Sequence, residues 1–168
     1  MLKFCLTLKA LIHRCFIYFI YFCTMGAERY IMIVDDDADD RMLFEDALKE
    51  VSAETKLISL NNGMDLMNVL HKKEVHGPDV IFLDINMPGK NGFECLASIR
   101  SNPTLKSIPI ILYSTCSQED TINKAYSSGA NLYVSKPNNF NALKKIIAKV
   151  LNNDFSSLIE RHQFVVSA

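Results

Sequence analysis

Residues 30–37 read Tyr30-Ile31-Met32-Ile33-Val34-Asp35-Asp36-Asp37, five apolar residues cut off by three acids. An unbroken apolar run this short fits a strand buried on both faces, as in a parallel sheet. The pattern recurs downstream. Val80-Ile81-Phe82-Leu83 stops at Asp84, Pro109-Ile110-Ile111-Leu112-Tyr113 at Ser114 and Thr115, and Leu132-Tyr133-Val134 at Ser135 and Lys136. A less apolar strand, Lys56 to Leu60, is closed by Asn61-Asn62-Gly63.

Helical stripes separate these runs. Met42, Leu43, Phe44, Ala47, Leu48 and Val51 form the first, and Leu66, Met67 and Leu70 a short second. Phe93, Leu96, Ala97 and Ile99 predict a third helix, finished before Pro103. Ser117 with Asp120 three residues on reads as a capping box for a fourth, which ends near Gly129. Phe140, Leu143, Ile146, Ile147, Val150 and Leu151 mark the fifth. Five strand–helix units between residues 30 and 151 imply an α/β domain with a parallel sheet covered on both faces.

The chain has 168 residues, enough for one domain of ordinary size. Its net charge of -1 supplies no basic excess, so nucleic-acid binding is not expected. Cys5, Cys15, Cys23, Cys95 and Cys116 form no CxxC pair, which excludes a zinc motif and suits reduced thiols in the cytoplasm.

Residues 1–25 stand apart, with Lys3, Lys9 and Arg14 and no acid. Their apolar run, Cys15 to Cys23, is too short for a bilayer that needs about 20 residues. The leading expectation is an extension outside the domain, or a start placed too far upstream with Met25 as the alternative. A targeting or membrane-surface role and packing on the domain stay open. The division expected is therefore residues 1–25, a domain over 26–151, and a tail over 152–168.

In parallel sheets of this kind ligands bind beyond the carboxyl ends of the strands. There the sequence collects Asp35, Asp36, Asp37, Asp84, Ser114, Thr115 and Lys136. Clustered carboxylates repel unless a cation neutralises them, and a hard divalent ion such as Mg²⁺ is the natural partner. A lysine and a hydroxyl opposite would hold phosphate oxygens. With no His or Cys base beside Ser114, a carboxylate nucleophile forming an acyl phosphate fits better, and Asp84 is the candidate. Asp39 and Asp40 read as a solvated acidic turn favouring a helix N-terminus.

Over residues 29–151 the sequence resembles the receiver domain of two-component response regulators. Ile33-Val34-Asp35-Asp36-Asp37 resembles the acidic motif of the family's first strand. Leu83-Asp84-Ile85-Asn86-Met87-Pro88-Gly89-Lys90-Asn91-Gly92 resembles its phosphoacceptor strand and loop. Ser114 and the Lys136-Pro137 pair follow at the family's spacing.

The resemblance implies a flavodoxin-like (βα)5 fold with five parallel strands in the order 2-1-3-4-5. Asp84 is implied as the phosphorylated carboxylate, and Asp35, Asp36, Asp84 and the backbone carbonyl of Asn86 as the Mg²⁺ site. Ser114 is implied to bond the phosphoryl group, Lys136 to pair with Asp84 and then with its phosphate. Tyr133 falls at the aromatic switch position, its ring expected to turn inward after phosphorylation. Pro137 is expected to follow a cis bond. Asn86 and Cys116, each two residues past a site residue, are placed to tune phosphate loss by their bulk.

The implied partners are a sensor histidine kinase or histidine phosphotransfer protein, and a downstream protein meeting the fourth helix, fifth strand and fifth helix. The protein is expected to be cytoplasmic, off the membrane, and monomeric or dimeric on phosphorylation. Residues 152–168 are too short for an effector domain, which points to a stand-alone, CheY-like receiver with a short helix or partner-binding tail. Two other readings stand beside it. One is an interaction module independent of phosphorylation. The other is a Mg²⁺-dependent phosphohydrolase, against which the sequence shows no substrate-cap segment.

Overall fold

The computed structural model describes residues 29–72, 77–153, 155 and 160–166. The expectations for residues 1–25 lie outside them. Strands β1 (Tyr30–Val34), β2 (Lys56–Leu60), β3 (Val80–Asp84), β4 (Ile110–Ser114) and β5 (Leu132–Ser135) alternate with five helices. These are α1 (Ala38–Val51), α2 (Gly63–His71), α3 (Gly92–Ser101), α4 (Glu119–Ser127) and α5 (Phe140–Leu151). A 3₁₀ turn (Arg161–Gln163) and a short strand β6 (Val165–Val166) follow.

All the strand pairs are parallel and the order is β2-β1-β3-β4-β5-β6. This corrects the expected five strands. The outer edge of β5 carries backbone groups that need partners, and the tail supplies them: Tyr133 N donates to Phe164 O at 2.8 Å. Two valines are too short a signal to be read as a strand from sequence.

Alternation along each strand splits the core into two layers. Met32, Val34, Ile81, Leu83, Leu112 and Tyr133 face Leu66, Leu96 and Ile122 of α2, α3 and α4. Ile31, Ile33, Phe82, Ile111 and Val134 face Phe44 and Leu48 of α1 and Ile146 and Ile147 of α5. β3 and β4 are buried at every position, as an apolar run flanked on both sides requires.

Side-chain caps fix where four helices begin. Asp37 accepts from Asp39 N and Asp40 N, Asn62 from Asp65 N, and Asn139 from Ala142 N. Asn91 and Glu94 form a reciprocal capping box on α3. The box expected at Ser117 and Asp120 does not form: Gln118 is the N-cap of α4 and makes no side-chain cap. The preceding loop is held instead by bonds to the strand ends, described below. Gly129, with φ +85, ends α4 as expected. No peptide bond among the described residues is cis, so the Lys136–Pro137 bond is trans. Proline makes either isomer cheap, and the residues themselves never required cis.

Gly92 sets α3 directly against the end of β3. A Cβ there would overlap Asp84 O and lie 2.8 Å from Ile85 Cα. Gly92→Ala is expected to destabilise the fold by about 1–3 kcal/mol, read as a lower midpoint in urea unfolding. An unchanged midpoint would show that this approach is not tight.

Candidate functional site

The strand ends bring three carboxylates together. Asp35 and Asp36 leave β1 and Asp84 ends β3, and one oxygen from each lies within 4.8 Å of the others. Asp35 and Asp84 are buried, at 1% and 4% exposure, while Asp36 faces solvent. Backbone N–H groups two residues on orient the buried pair. Asp37 N donates to Asp35 Oδ1 and Asn86 N to Asp84 Oδ2, both at 3.0 Å.

Lys136 reaches this cluster from the end of β5, where its N–H donates to Ser114 O at 2.8 Å. Its Nζ lies 2.7 Å from Asp35 Oδ2, 2.7 Å from Asp40 Oδ2 and 3.5 Å from Asp84 Oδ1. The expected pairing with Asp84 is present but is the longest of the three. Asp40 was read as a solvated turn residue; the structure makes it a direct partner of Lys136. Its position in the first turn of α1, above the strand ends, is the signal that could have found it. Asp39, by contrast, is exposed as expected.

The electrostatics follow from burial and imbalance. Burial pushes the Asp35 and Asp84 carboxyls above the usual carboxylate range, and Lys136 works against that shift. Burial opposes the Lys136 ammonium most strongly of any single cause, but hydrogen bonds to Asp35 and Asp40 together with the charges of Asp84 and Asp35 outweigh it and hold its pKa above the ordinary lysine range. Asp35, Asp40 and Asp84 face this one ammonium and Asp36 lies beside them, so the site keeps excess negative charge. Oxygen-only ligands with excess negative charge suit a hard divalent cation.

Ser114 is fully buried and its Oγ accepts from Cys116 N at 3.2 Å. The rival hydroxyl, Thr115, is exposed. Tyr133 is also fully buried, and its hydroxyl donates to Cys116 O at 2.6 Å. The ring thus occupies the inward position in this structure. Phe164 and α4 already cover it. Nothing in the sequence signalled Phe164.

The response regulator receiver domain family matches residues 31–148. The chain belongs to that family. It is 33% identical to the response regulator Rcp1 of Synechocystis, over 71% of this chain and 84% of that one. It is 30% identical to the chemotaxis protein CheY of Pseudomonas aeruginosa, over 71% and 94%. The Mn(2+)-bound form of Rcp1 superposes with a TM-score of 0.69 at 31% identity, covering 79% of this chain and 99% of that structure. The phosphorylated cyanobacterial phytochrome response regulator RcpA superposes at 0.68 and 34% identity, covering 74% and 91%. The receiver's acidic pocket therefore matches the fold, the family and the donor set of this chain. Among the described residues no helix is long and apolar enough to cross a membrane.

Removing Lys136 tests this charge balance. Lys136→Met leaves Asp35 and Asp84 buried without their cation and is expected to cost about 3–5 kcal/mol at neutral pH in chelator-containing buffer. The folded pKa of each carboxyl lies above its unfolded value. The folded state is therefore favoured below the unfolded pKa, and that advantage is lost as pH rises through the folded pKa. The deficit of Lys136→Met should shrink as pH falls toward that range, in urea titrations across pH. A deficit independent of pH would mean that Lys136 acts through packing.

Proposed function

We propose that this protein is a single-domain response regulator whose Asp84 accepts a phosphoryl group in a Mg²⁺-dependent reaction. One observation carries the reading: Asp84 lies buried beside Asp35 and Asp36 and within 3.5 Å of Lys136 Nζ, at the carboxyl end of a parallel sheet. A phosphotransfer site needs a carboxylate nucleophile, oxygen ligands for a metal and a cation for the incoming phosphate, and this chain holds all of them there.

Asp35, Asp36, Asp84 and the backbone carbonyl of Asn86 would hold Mg²⁺, which supplies charge neutralisation for the transferring phosphoryl group. A carboxylate oxygen of Asp84 attacks phosphorus. The P–N bond of a donor phosphohistidine breaks, or the P–O bond of a small acyl phosphate, and the donor leaves with the bond's electron pair. Lys136 turns from Asp35 and Asp40 toward the new phosphoryl oxygens. Ser114 Oγ accepts a bond from Cys116 N and also bonds the Tyr133 hydroxyl, so its proton would turn from Tyr133 to a phosphoryl oxygen. These donors act where charge collects in the transition state.

The donor would be a sensor histidine kinase or a histidine phosphotransfer protein, and the output a changed contact with a downstream protein in the cytoplasm. Catalysis is limited to the protein's own phosphorylation and dephosphorylation. Phosphorylation shifts an existing two-state equilibrium, with or without dimerisation.

Intact mass after incubation with acetyl phosphate and Mg²⁺ tests this. A single phosphoryl increment is expected in the wild type and none in Asp84→Asn or in chelator. Ser114→Ala should slow its appearance by on the order of 100-fold. A folded wild type that takes no increment from acetyl phosphate or from a phosphorylated histidine phosphotransfer protein would remove the reading.

A further inference from the structure

The C-terminal segment is docked on the face expected to carry the output. Val165 and Val166 pair with Tyr133 and Val134 along the outer edge of β5. Phe164 is fully buried in the same cluster as Tyr133, Ile122 and Ala125. Its ring meets Tyr126 of α4 edge-on at 5.1 Å. Arg161 grips α4 directly, with one guanidinium nitrogen 2.8 Å from Glu119 Oε1 and 2.7 Å from Asn123 Oδ1. The guanidinium also lies over Tyr126 and Phe164, at 5.7 and 5.8 Å from the ring centres. The segment thus holds two bodies at once, the backbone of β5 and the first turns of α4.

Those two bodies are joined to the phosphorylation site through residues 115–118. Cys116 N is bonded to Ser114 Oγ and Cys116 O to the Tyr133 hydroxyl. Glu119, which Arg161 holds, is the first residue of α4 after this loop. When Ser114 turns to a phosphoryl oxygen, Cys116 N loses its acceptor and the entry to α4 must shift. The Tyr133 ring lies buried in one cluster with Phe164, so a shift of this face has to pass through the docked segment.

We infer that residues 160–166 are an intramolecular latch, which covers the α4–β5 face in the unphosphorylated protein and is released when Asp84 is phosphorylated. The latched state keeps Ser114 on Cys116 and keeps the edge of β5 paired, so no partner can add a strand there. Linkage makes the effect reciprocal: weakening the latch favours phosphorylation by the same factor. The coupling rests on the receiver reading; the existence of the latch does not.

Hydrogen exchange at the Tyr133 amide, which donates to Phe164 O, reports latching in the full-length chain. Val165→Pro alters a partly exposed side chain, and a proline there disfavours the helical backbone of Phe164 (φ -67, ψ -35) that sets Phe164 O on Tyr133 N. It should speed exchange at Tyr133 by on the order of tenfold without phosphate. Phosphorylated wild type, with the adduct confirmed by mass, should show the same acceleration. A second test needs no proline. Arg161→Glu should raise phosphoryl occupancy at limiting acetyl phosphate about two- to fivefold, and adding Glu119→Arg should restore it.

Tyr133 protection unchanged in Val165→Pro would overturn the latch. Unchanged protection in fully phosphorylated wild type, or occupancy that ignores the charge swap, would overturn the coupling. A chain that takes no phosphoryl group while Val165→Pro still loses protection keeps the latch and removes the receiver reading, and the coupling with it.

Discussion

The ammonium of Lys136 sits among carboxylates from three separate parts of the chain, and the whole site depends on it. Asp35 ends β1, Asp84 ends β3 and Asp40 opens α1, and the same nitrogen reaches all three within 3.5 Å. Two of these acids are almost fully buried. Buried charges without partners cost several kcal/mol each, so the strand ends can converge only because β5 delivers a cation to them. That delivery is itself a backbone matter. The Lys136 N–H is fixed on Ser114 O, which sets the lysine in register with the hydroxyl beside it. The pairing is also deliberately incomplete in charge. One cation against Asp35, Asp36, Asp40 and Asp84 leaves a negative site, and the remainder is what a divalent metal and then a phosphoryl group are suited to rebalance.

From this cluster a continuous chain of hydrogen bonds leads to the far edge of the sheet. It runs from Ser114 Oγ to Cys116 N, from Cys116 O to the Tyr133 hydroxyl, and from Tyr133 N to Phe164 O. Ser114 and Tyr133 are fully buried, while Cys116 between them is partly exposed. On the proposed coupling, a change in what Ser114 bonds is passed along this route to β6. Packed interiors respond by switching between arrangements rather than by bending smoothly.

The sequence carried the five strand–helix units because apolar runs ending in polar residues are unambiguous when both faces of a sheet are covered. Asp84, Lys136 and Ser114 were legible for the same reason: each is the first polar residue, or close to it, after such a run. Asp40 was not, since a helix-capping acid and a lysine partner look alike until the fold places Lys136 opposite. β6 was hidden because two valines have no periodicity, and the pairing that makes them a strand is supplied by an edge more than thirty positions earlier in the chain. The misplaced cap at Ser117 has a different cause. The local signal was sound, but the loop before α4 spends its hydrogen-bonding groups on the strand ends, a tertiary demand that local propensity does not register.

That last misreading points to where the molecule is built to move. Asp37, Asn62, Asn91 and Asn139 cap the other helices, so α4 alone among the described α-helices starts without a side-chain cap. Its opposite end is anchored firmly. Arg100 donates to Gly129 O at 2.7 Å just past α4, to Ile108 O at 2.9 Å, and to Asn131 Oδ1 at 2.8 Å. The N-terminus of α4 is held by tertiary contacts in place of a cap: Arg161 reaches Glu119 and Asn123, and Cys116 Sγ lies 3.4 Å from Thr121 Oγ1. That end is the one that follows Ser114. Elements that move are drawn from the least stabilised parts of a fold, and here the missing side-chain cap lies next to Ser114. On the proposed coupling, a displacement begun at Ser114 is taken up in the turn of α4 that Arg161 holds.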